Sequence, residues 1–158
     1  MDEMSPLQRE IRQRKPFRSR GEEVVVALLR TADLVRRIVA RTLEPYDITP
    51  QQYNVLRILR GAGEQGLPTL EIAERMLEQA PGVTRLVDRL EAKGLVRRER
   101  CRQDRRQVLC WLTSPGLALV ERLDAPIESA DLEAVANLSA EEQEQLLRLL
   151  NAVRASSH

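Results

Sequence analysis

The sequence predicts a mostly α-helical fold that carries one small β-hairpin, and three observations lead there. Apolar residues recur at helical spacing in six separate stretches. Proline at the starts and glycine at the ends punctuate several of them. Only residues 96–113, "VRRERCRQDRRQVLCWLT", replace that spacing with two β-branched, aromatic and cysteine-containing runs around a polar turn, which predicts a hairpin.

Taken in order, residues 1–20 are polar, arginine-rich and interrupted by Pro6 and Pro16, as expected of a flexible basic extension. From Glu22 to Leu43, Val24, Leu28, Val35, Ile38 and Val39 form a wide apolar stripe with Arg30, Arg36, Arg37 and Arg41 between them. That pattern predicts a helix of about six turns, stopped by Pro45. In "ITPQQYNVLRIL", Thr49 is placed as a cap, Pro50 at the first helical position and Gln52 as the return arm of a capping box. Tyr53, Leu56 and Leu59 share one face, and Gly61 and Gly63 end the helix. A short link leads to Thr69 and a third helix, "TLEIAERMLEQ".

The fourth helix, "APGVTRLVDRLEAKG", starts at Pro81 and stops at Gly94. Val83, Leu86, Val87 and Leu90 follow the i, i+3, i+4, i+7 rule, and Gly82, Thr84, Arg85, Asp88 and Arg89 lie opposite them. After the hairpin, "TSPG" opens a fifth helix near Pro115, which Pro126 is expected to kink or interrupt. The last helix opens on a capping box of Ser139 and Glu142 and presents Leu146, Leu149, Leu150 and Val153.

Composition narrows the function classes. The chain has 158 residues, 42% hydrophobic and 31% charged, enough for one domain or a domain with an oligomerisation arm. No apolar run is long enough to span a membrane, and the N-terminus lacks the apolar core of a secretory signal, so a cytoplasmic protein is expected. Two cysteines, Cys101 and Cys110, are too few for a disulfide scaffold, and the only histidine is His158. With no Ser/His/Asp set, phosphate-binding glycine loop or metal-ligand cluster, neither enzyme activity, a cofactor nor a metal is expected.

Charge is more informative along the chain than in total. Residues 80–110 hold 9 basic and 4 acidic residues, whereas residues 111–158 hold 3 basic and 8 acidic. Such asymmetry points to a polyanion-binding element attached to a part with another task. The third and fourth helices form a helix-turn-helix candidate whose second helix packs on one side and presents arginines on the other. Gly82, Thr84 and Arg85, near its start, suit close approach to base edges, and Arg85 or Arg89 can donate bidentate hydrogen bonds to guanine. Directly afterwards, Arg102, Arg105 and Arg106 on the hairpin tip can lie along phosphates or enter the minor groove. Asp104, an acid among arginines, is read as pairing with Arg106 to hold the tip in shape.

The stretch "VTRLVDRLEAKGLVRRERCRQDRRQVLCWLTSPG" closely resembles the MarR family, the multiple antibiotic resistance regulators. There, T-R-L-V-D-R-L-E-x-K-G-L-V is followed by a D-R-R wing and L-T-x-x-G. Here Thr84 to Val96 match apart from the variable position, as do Asp104, Arg105, Arg106, Leu112, Thr113 and Gly116, and the element order fits from about residue 22 onward. One departure is the absence of a Ser or Thr cap before the recognition helix, where "EQAPG" offers only Gln79 or Ala80 ahead of Pro81.

The resemblance implies a winged helix-turn-helix domain over residues 49–113. It also implies a helical dimerisation region over 21–48 and 114–158, with 1–20 as the extension. It implies a homodimer on a palindromic site in double-stranded DNA, with Pro81, Gly82, Thr84, Arg85, Arg89 and the wing residues Arg102, Asp104, Arg105 and Arg106 at the interface. The apolar surface of the terminal helices agrees with a dimer. Many members release DNA when a small aromatic or anionic molecule enters a cleft beside the dimer helices; Arg41, Tyr46, Tyr53 and Arg57 are the candidates here. The expected function is therefore a sequence-specific, ligand-responsive transcriptional regulator, a repressor in the first instance. Two alternatives stand beside it: a winged module that binds protein instead of DNA, and a redox-responsive regulator in which Cys101 and Cys110 face each other across the hairpin.

Overall fold

The computed structural model of the chain describes residues 4–79 and 82–155, in two compact units, Met1–Ile38 and Val39–His158. In the first unit Ser5 caps a short helix, α1 (Pro6–Glu10): its hydroxyl accepts from the Gln8 amide at 3.3 Å, and the Gln8 side chain accepts from the Ser5 amide at 3.0 Å. Gln8 is buried and also donates to the Lys15 carbonyl at 3.1 Å. The stretch read as a basic extension thus contains a capped turn folded back on itself. Five residues offer too few apolar positions for a helical period to show in the sequence. The long helix α2 (Arg20–Leu43) begins in this unit, where Arg30 pairs with Glu10 at 2.8 Å. Val24, Val25, Leu29, Leu34 and Val35 stay exposed along it.

The second unit runs α3 (Pro50–Ala62), β1 (Leu67–Pro68), α4 (Thr69–Arg75), α5 (Val83–Ala92), β2 (Val96–Arg100), β3 (Val108–Leu112), α6 (Ser114–Ala134) and α7 (Ala140–Ala155). Side chains that share a helical face build its centre. Val55 and Leu56 of α3, Ile72 of α4, Val87 and Leu90 of α5, and Val120 and Leu123 of α6 are all 0% exposed. Full burial of such side chains contributes about 1.5–3 kcal/mol each. An ion pair of Arg60 with both oxygens of Asp124, each at 2.9 Å, ties α3 to α6 at the surface.

The capping signals act as the sequence indicates. Thr49 and Gln52 form their reciprocal pair, each bond 3.1 Å, ahead of α3. Ser139 and Glu142 do the same ahead of α7, at 2.8 and 3.2 Å. Thr113 caps α6 through the Gly116 amide at 3.1 Å.

Three expectations are corrected. The sheet has three antiparallel strands in the order β1-β3-β2, because Leu67 and Pro68 pair with Cys110 and Leu109; a two-residue strand carries no alternation to read. The third helix is shorter than expected, ending at Arg75, and the Leu77 amide is taken by the Asn54 side chain at 2.8 Å. Pro126 does not interrupt α6, which continues to Ala134. Proline removes a single intrahelical donor, and the buried Leu123, Ile127 and Ala130 on either side hold the helix to the core.

Candidate nucleic-acid interface

The recognition-helix candidate α5 begins at Val83, later than the expected start at Pro81, which itself lies outside the described residues. Gly82 is the N-cap, in the left-handed region at φ 96°, and its carbonyl accepts from the Arg85 and Leu86 amides at 2.9 and 3.2 Å. Only glycine enters that region without strain, so the entry turn fixes where the helix starts. Among the described residues no side chain caps the helix, in keeping with the missing Ser or Thr. At the far end the Leu95 amide bonds the Leu90 carbonyl at 3.0 Å and the Gly94 amide bonds Glu91 at 2.9 Å, with Gly94 at φ 74°. This Schellman closure turns the chain out of α5 straight into β2. Burial divides α5 as its periodicity indicates: Val83, Val87 and Leu90 are buried, while Gly82, Thr84, Arg85, Asp88 and Arg89 are exposed.

The hairpin pairs Val96 with Leu112 through Arg100 with Val108. Beyond that register the Cys101 amide bonds the Gln107 carbonyl at 2.9 Å, and the Gln107 amide bonds the Asp104 carbonyl at 3.0 Å. Arg105 and Arg106 therefore occupy the middle of a tight turn, and Arg102, Asp104, Arg105 and Arg106 are all exposed. Asp104 works differently from the expected side-chain pair. Its Oδ1 accepts from the backbone N–H of Arg106 at 3.0 Å, and among the described residues no ion pair joins the two side chains. An aspartate naturally reaches the amide two residues on, closing the turn while leaving the guanidinium free.

The nine basic residues of 80–110 divide into two sets. Lys93 meets the carboxylate of Asp47 at 3.0 Å and also its carbonyl. Arg97 pairs with Glu99 at 2.7 Å. Arg98 reaches Asp88 at 2.6 Å and Glu91 at 2.9 Å, and its own amide donates to the other Glu91 oxygen at 3.1 Å. Arg85, Arg89, Arg100, Arg102, Arg105 and Arg106 form no ion pair among the described residues. Hydrogen bonding to Arg98 holds the Glu91 carboxyl below the usual carboxylate range. This cluster fixes the first strand of the hairpin to the last turn and a half of α5, so the free arginines of helix and wing belong to one braced unit.

Asp88, Glu91 and Arg98 were not singled out from the sequence as a bracing set. The signal was present: Arg98 shares a strand face with the buried Val96 and follows Glu91 by seven residues across a single turn.

The cysteine pairing expected across the hairpin is also corrected. Cys110 lies opposite Arg98, whereas Cys101 lies opposite Gln107. Three residues of strand rise separate the two positions by roughly 10 Å along the hairpin, beyond the reach of a disulfide. Cys110 is fully buried, with its sulfur 3.6 Å from the Thr69 hydroxyl, and burial pushes its thiol pKa up.

Of the ligand candidates, Tyr53 is buried at 6% exposure, with the Arg57 guanidinium 6.0 Å from its ring centroid. Burial raises its phenol pKa. Tyr46 packs against the core, and Arg41 stands exposed on α2. The fold thus brings Tyr53 and Arg57 together and gives the aromatic groups packing roles.

Residues 46–107 match the model of the MarR family. The chain is 30% identical over 129 residues to the homoprotocatechuate degradative operon repressor of Escherichia coli, covering 82% of this chain and 86% of that protein. The crystal structure of an S. aureus MepR–DNA complex superposes with a TM-score of 0.75 at 30% identity, over 82% of this chain and 96% of the other. The structure of Bordetella bronchiseptica BpsR, solved to explain regulation of its DNA binding by 6-hydroxynicotinic acid, gives a TM-score of 0.75 at 28% identity, over 84% and 99%. With the winged arrangement of α4, α5 and the hairpin, and with this identity and coverage, the chain belongs to the MarR family.

Proposed function

We propose that this protein is a sequence-specific DNA-binding transcriptional regulator, a cytoplasmic homodimer that represses from a palindromic operator and responds to a small aromatic or anionic effector. The observation that carries the reading is the set of six arginines, spread over the exposed face of α5 and the hairpin, that form no ion pair among the described residues. Like charges so arranged repel one another in the free protein, and a polyanion relieves that repulsion. Thr84, Arg85 and Arg89, with Gly82 at the helix entry, are the residues assigned to base edges; Pro81, assigned with them from the sequence, lies outside the described residues. Arg102, Arg105 and Arg106 are assigned to phosphates or the minor groove, on a turn closed by Asp104.

The exposed apolar residues support a dimer: Val24, Val25, Leu29, Leu34 and Val35 on α2, and Leu146, Leu147, Leu149 and Val153 on α7. Accordingly, 49–113 is assigned as the DNA-binding domain, 21–48 with 114–158 as the dimerisation region, and 1–20 as an extension. Among the described residues no helix is long and apolar enough to cross a membrane. Repression and effector response rest on the relatives, one a repressor of a homoprotocatechuate degradative operon and another whose DNA binding is regulated by 6-hydroxynicotinic acid.

Selection of duplexes from a random pool, followed by binding at rising salt, tests the reading. A palindromic consensus whose affinity falls steeply with salt supports it. A folded chain that retains no duplex at low salt overturns it.

A further inference from the structure

The turn that ends α5 and the turn that begins α6 share one set of hydrogen bonds. The Thr113 hydroxyl donates to the Gly94 carbonyl at 2.6 Å and accepts from the Gly116 amide at 3.1 Å. The Thr113 amide donates to the Leu95 carbonyl at 3.1 Å. Helix ends leave carbonyls without partners and helix starts leave amides without them. Here one threonine serves both, its single hydroxyl proton given to one turn and its lone pair to the other.

Gly116, buried in the first turn of α6, brings that helix closer to the α5 turn than any other residue allows. A Cβ at this position would lie 2.1 Å from the Leu95 carbonyl oxygen and 3.3 Å from Leu112 Cδ2. The nearer obstacle is backbone, so no side-chain rotation makes room for it. Glycine weakens a helix relative to alanine, and the close approach to Leu95 is what requires it here.

Apolar packing also holds α6, through the buried Leu119, Val120 and Leu123, but such packing is non-directional. The hydrogen bonds and the backbone contact supply direction. With 21 residues, α6 is about 30 Å long at a rise of about 1.5 Å per residue. Over that length a tilt of about 10° at its start moves its far end by about 5 Å, more than the roughly 3.4 Å rise of one base pair.

Resting on the reading of the chain as a dimeric DNA-binding regulator with α6 in its dimerisation region, we propose that Thr113 and Gly116 are positioning residues that set the half-site spacing the dimer accepts. Neither is assigned to bases or phosphates. They act through the angle between α5, which reads one half-site, and α6, which leads to the second copy. Two-fold symmetry repeats the same joint in that copy, so both joints together determine how far apart the recognition helices stand.

Anisotropy titrations with three duplexes test the joint: the palindrome recovered from the random pool, the same palindrome with one base pair inserted at its centre, and a duplex carrying one half-site. Engaging the second half-site is an intramolecular step whose gain depends on geometry. Thr113→Val should therefore lose about tenfold or more on the palindrome while staying within about twofold of wild type on the half-site. It should also narrow the difference between the palindrome and its expanded form. Thr113→Ser, which keeps the hydroxyl, should restore the wild-type pattern, and Gly116→Ala should behave as Thr113→Val or worse. The Thr113 comparison stands even where Gly116→Ala fails to fold. In a wild type that prefers the palindrome, a Thr113→Val loss that is equal on all three duplexes, or absent, overturns the proposal and leaves the regulator reading intact. A wild type that binds no duplex, or binds the half-site as tightly as the palindrome, overturns that reading and the proposal with it.

Discussion

Arg98 and Glu91 are joined twice: the guanidinium meets one carboxylate oxygen at 2.9 Å, and the Arg98 amide donates to the other at 3.1 Å. One end of this contact is the last turn of the recognition helix and the other the first strand of the wing. Glu91→Gln should therefore lower affinity for operator DNA more than it lowers stability. A partly exposed ion pair contributes only about 0–1 kcal/mol to stability, whereas misaligning wing and helix would disturb every phosphate contact proposed for the wing. Chemical denaturation and fluorescence anisotropy on the same samples check the ratio.

The same pair has a pH signature. The folded Glu91 carboxyl titrates below its value in the unfolded chain, held there first by hydrogen bonding to Arg98. Its contribution is thus fully present above the unfolded carboxylate pKa, about 4.3, and disappears as pH falls through the lower folded value. In Glu91→Gln that acid-side component of the stability profile should be absent, as denaturation curves taken across the acid range would reveal.

Asp104 gives a sharper discrimination at the wing tip. Because its side chain accepts from the Arg106 amide, Asp104→Asn should keep the turn and most DNA affinity, since the amide oxygen remains an acceptor. Asp104→Ala should lose both. If the carboxylate acted on the guanidinium instead, Asn and Ala would weaken binding equally. Anisotropy titrations of the two variants decide.

The free arginines should separate by role. Arg85→Ala should cost about 1–3 kcal/mol on the preferred site and relax the preference at one base position. Arg102→Ala, Arg105→Ala and Arg106→Ala should weaken all sequences alike, each lost phosphate contact reducing the slope of log K against log salt by about 0.9. Binding to a matched and a scrambled duplex at several salt concentrations measures both effects.

The two thiols should differ in reactivity. Cys110 is fully buried and its thiol pKa is raised by that burial, whereas Cys101 is half-buried at the start of the tip. A thiol-specific reagent should modify Cys101 in the native protein and reach Cys110 only on unfolding. Peroxide should produce no intramolecular disulfide, which mass spectrometry reads directly.

Elements long enough to repeat a pattern were legible in the sequence. Val83, Val87 and Leu90 declared the buried side of α5, and Thr49–Gln52 and Ser139–Glu142 declared two helix starts. Legibility failed where a conformation rests on one or two residues. β1 is two residues long, α1 is five, and the entry to α5 depends on Gly82 adopting a left-handed turn that spacing does not reveal. Within the candidate site, the charge count of 80–110 located the basic surface but could not sort free arginines from braced ones. That sorting depends on which carboxylates the fold brings near, as Arg98 illustrates, and it emerges only when α5 and β2 are set side by side.

The central claim is that the hairpin tip and the exposed side of α5 grip duplex DNA as one surface, and a double-mutant cycle between them tests it most directly. Operator affinity measured for Arg85→Ala, Arg106→Ala and the double variant, each with and without Glu91→Gln, should show coupling between the two arginines that the Glu91 change abolishes. Losses that simply add, with Glu91→Gln leaving them unaltered, would mean that helix and wing act separately or not at all, and would contradict the account.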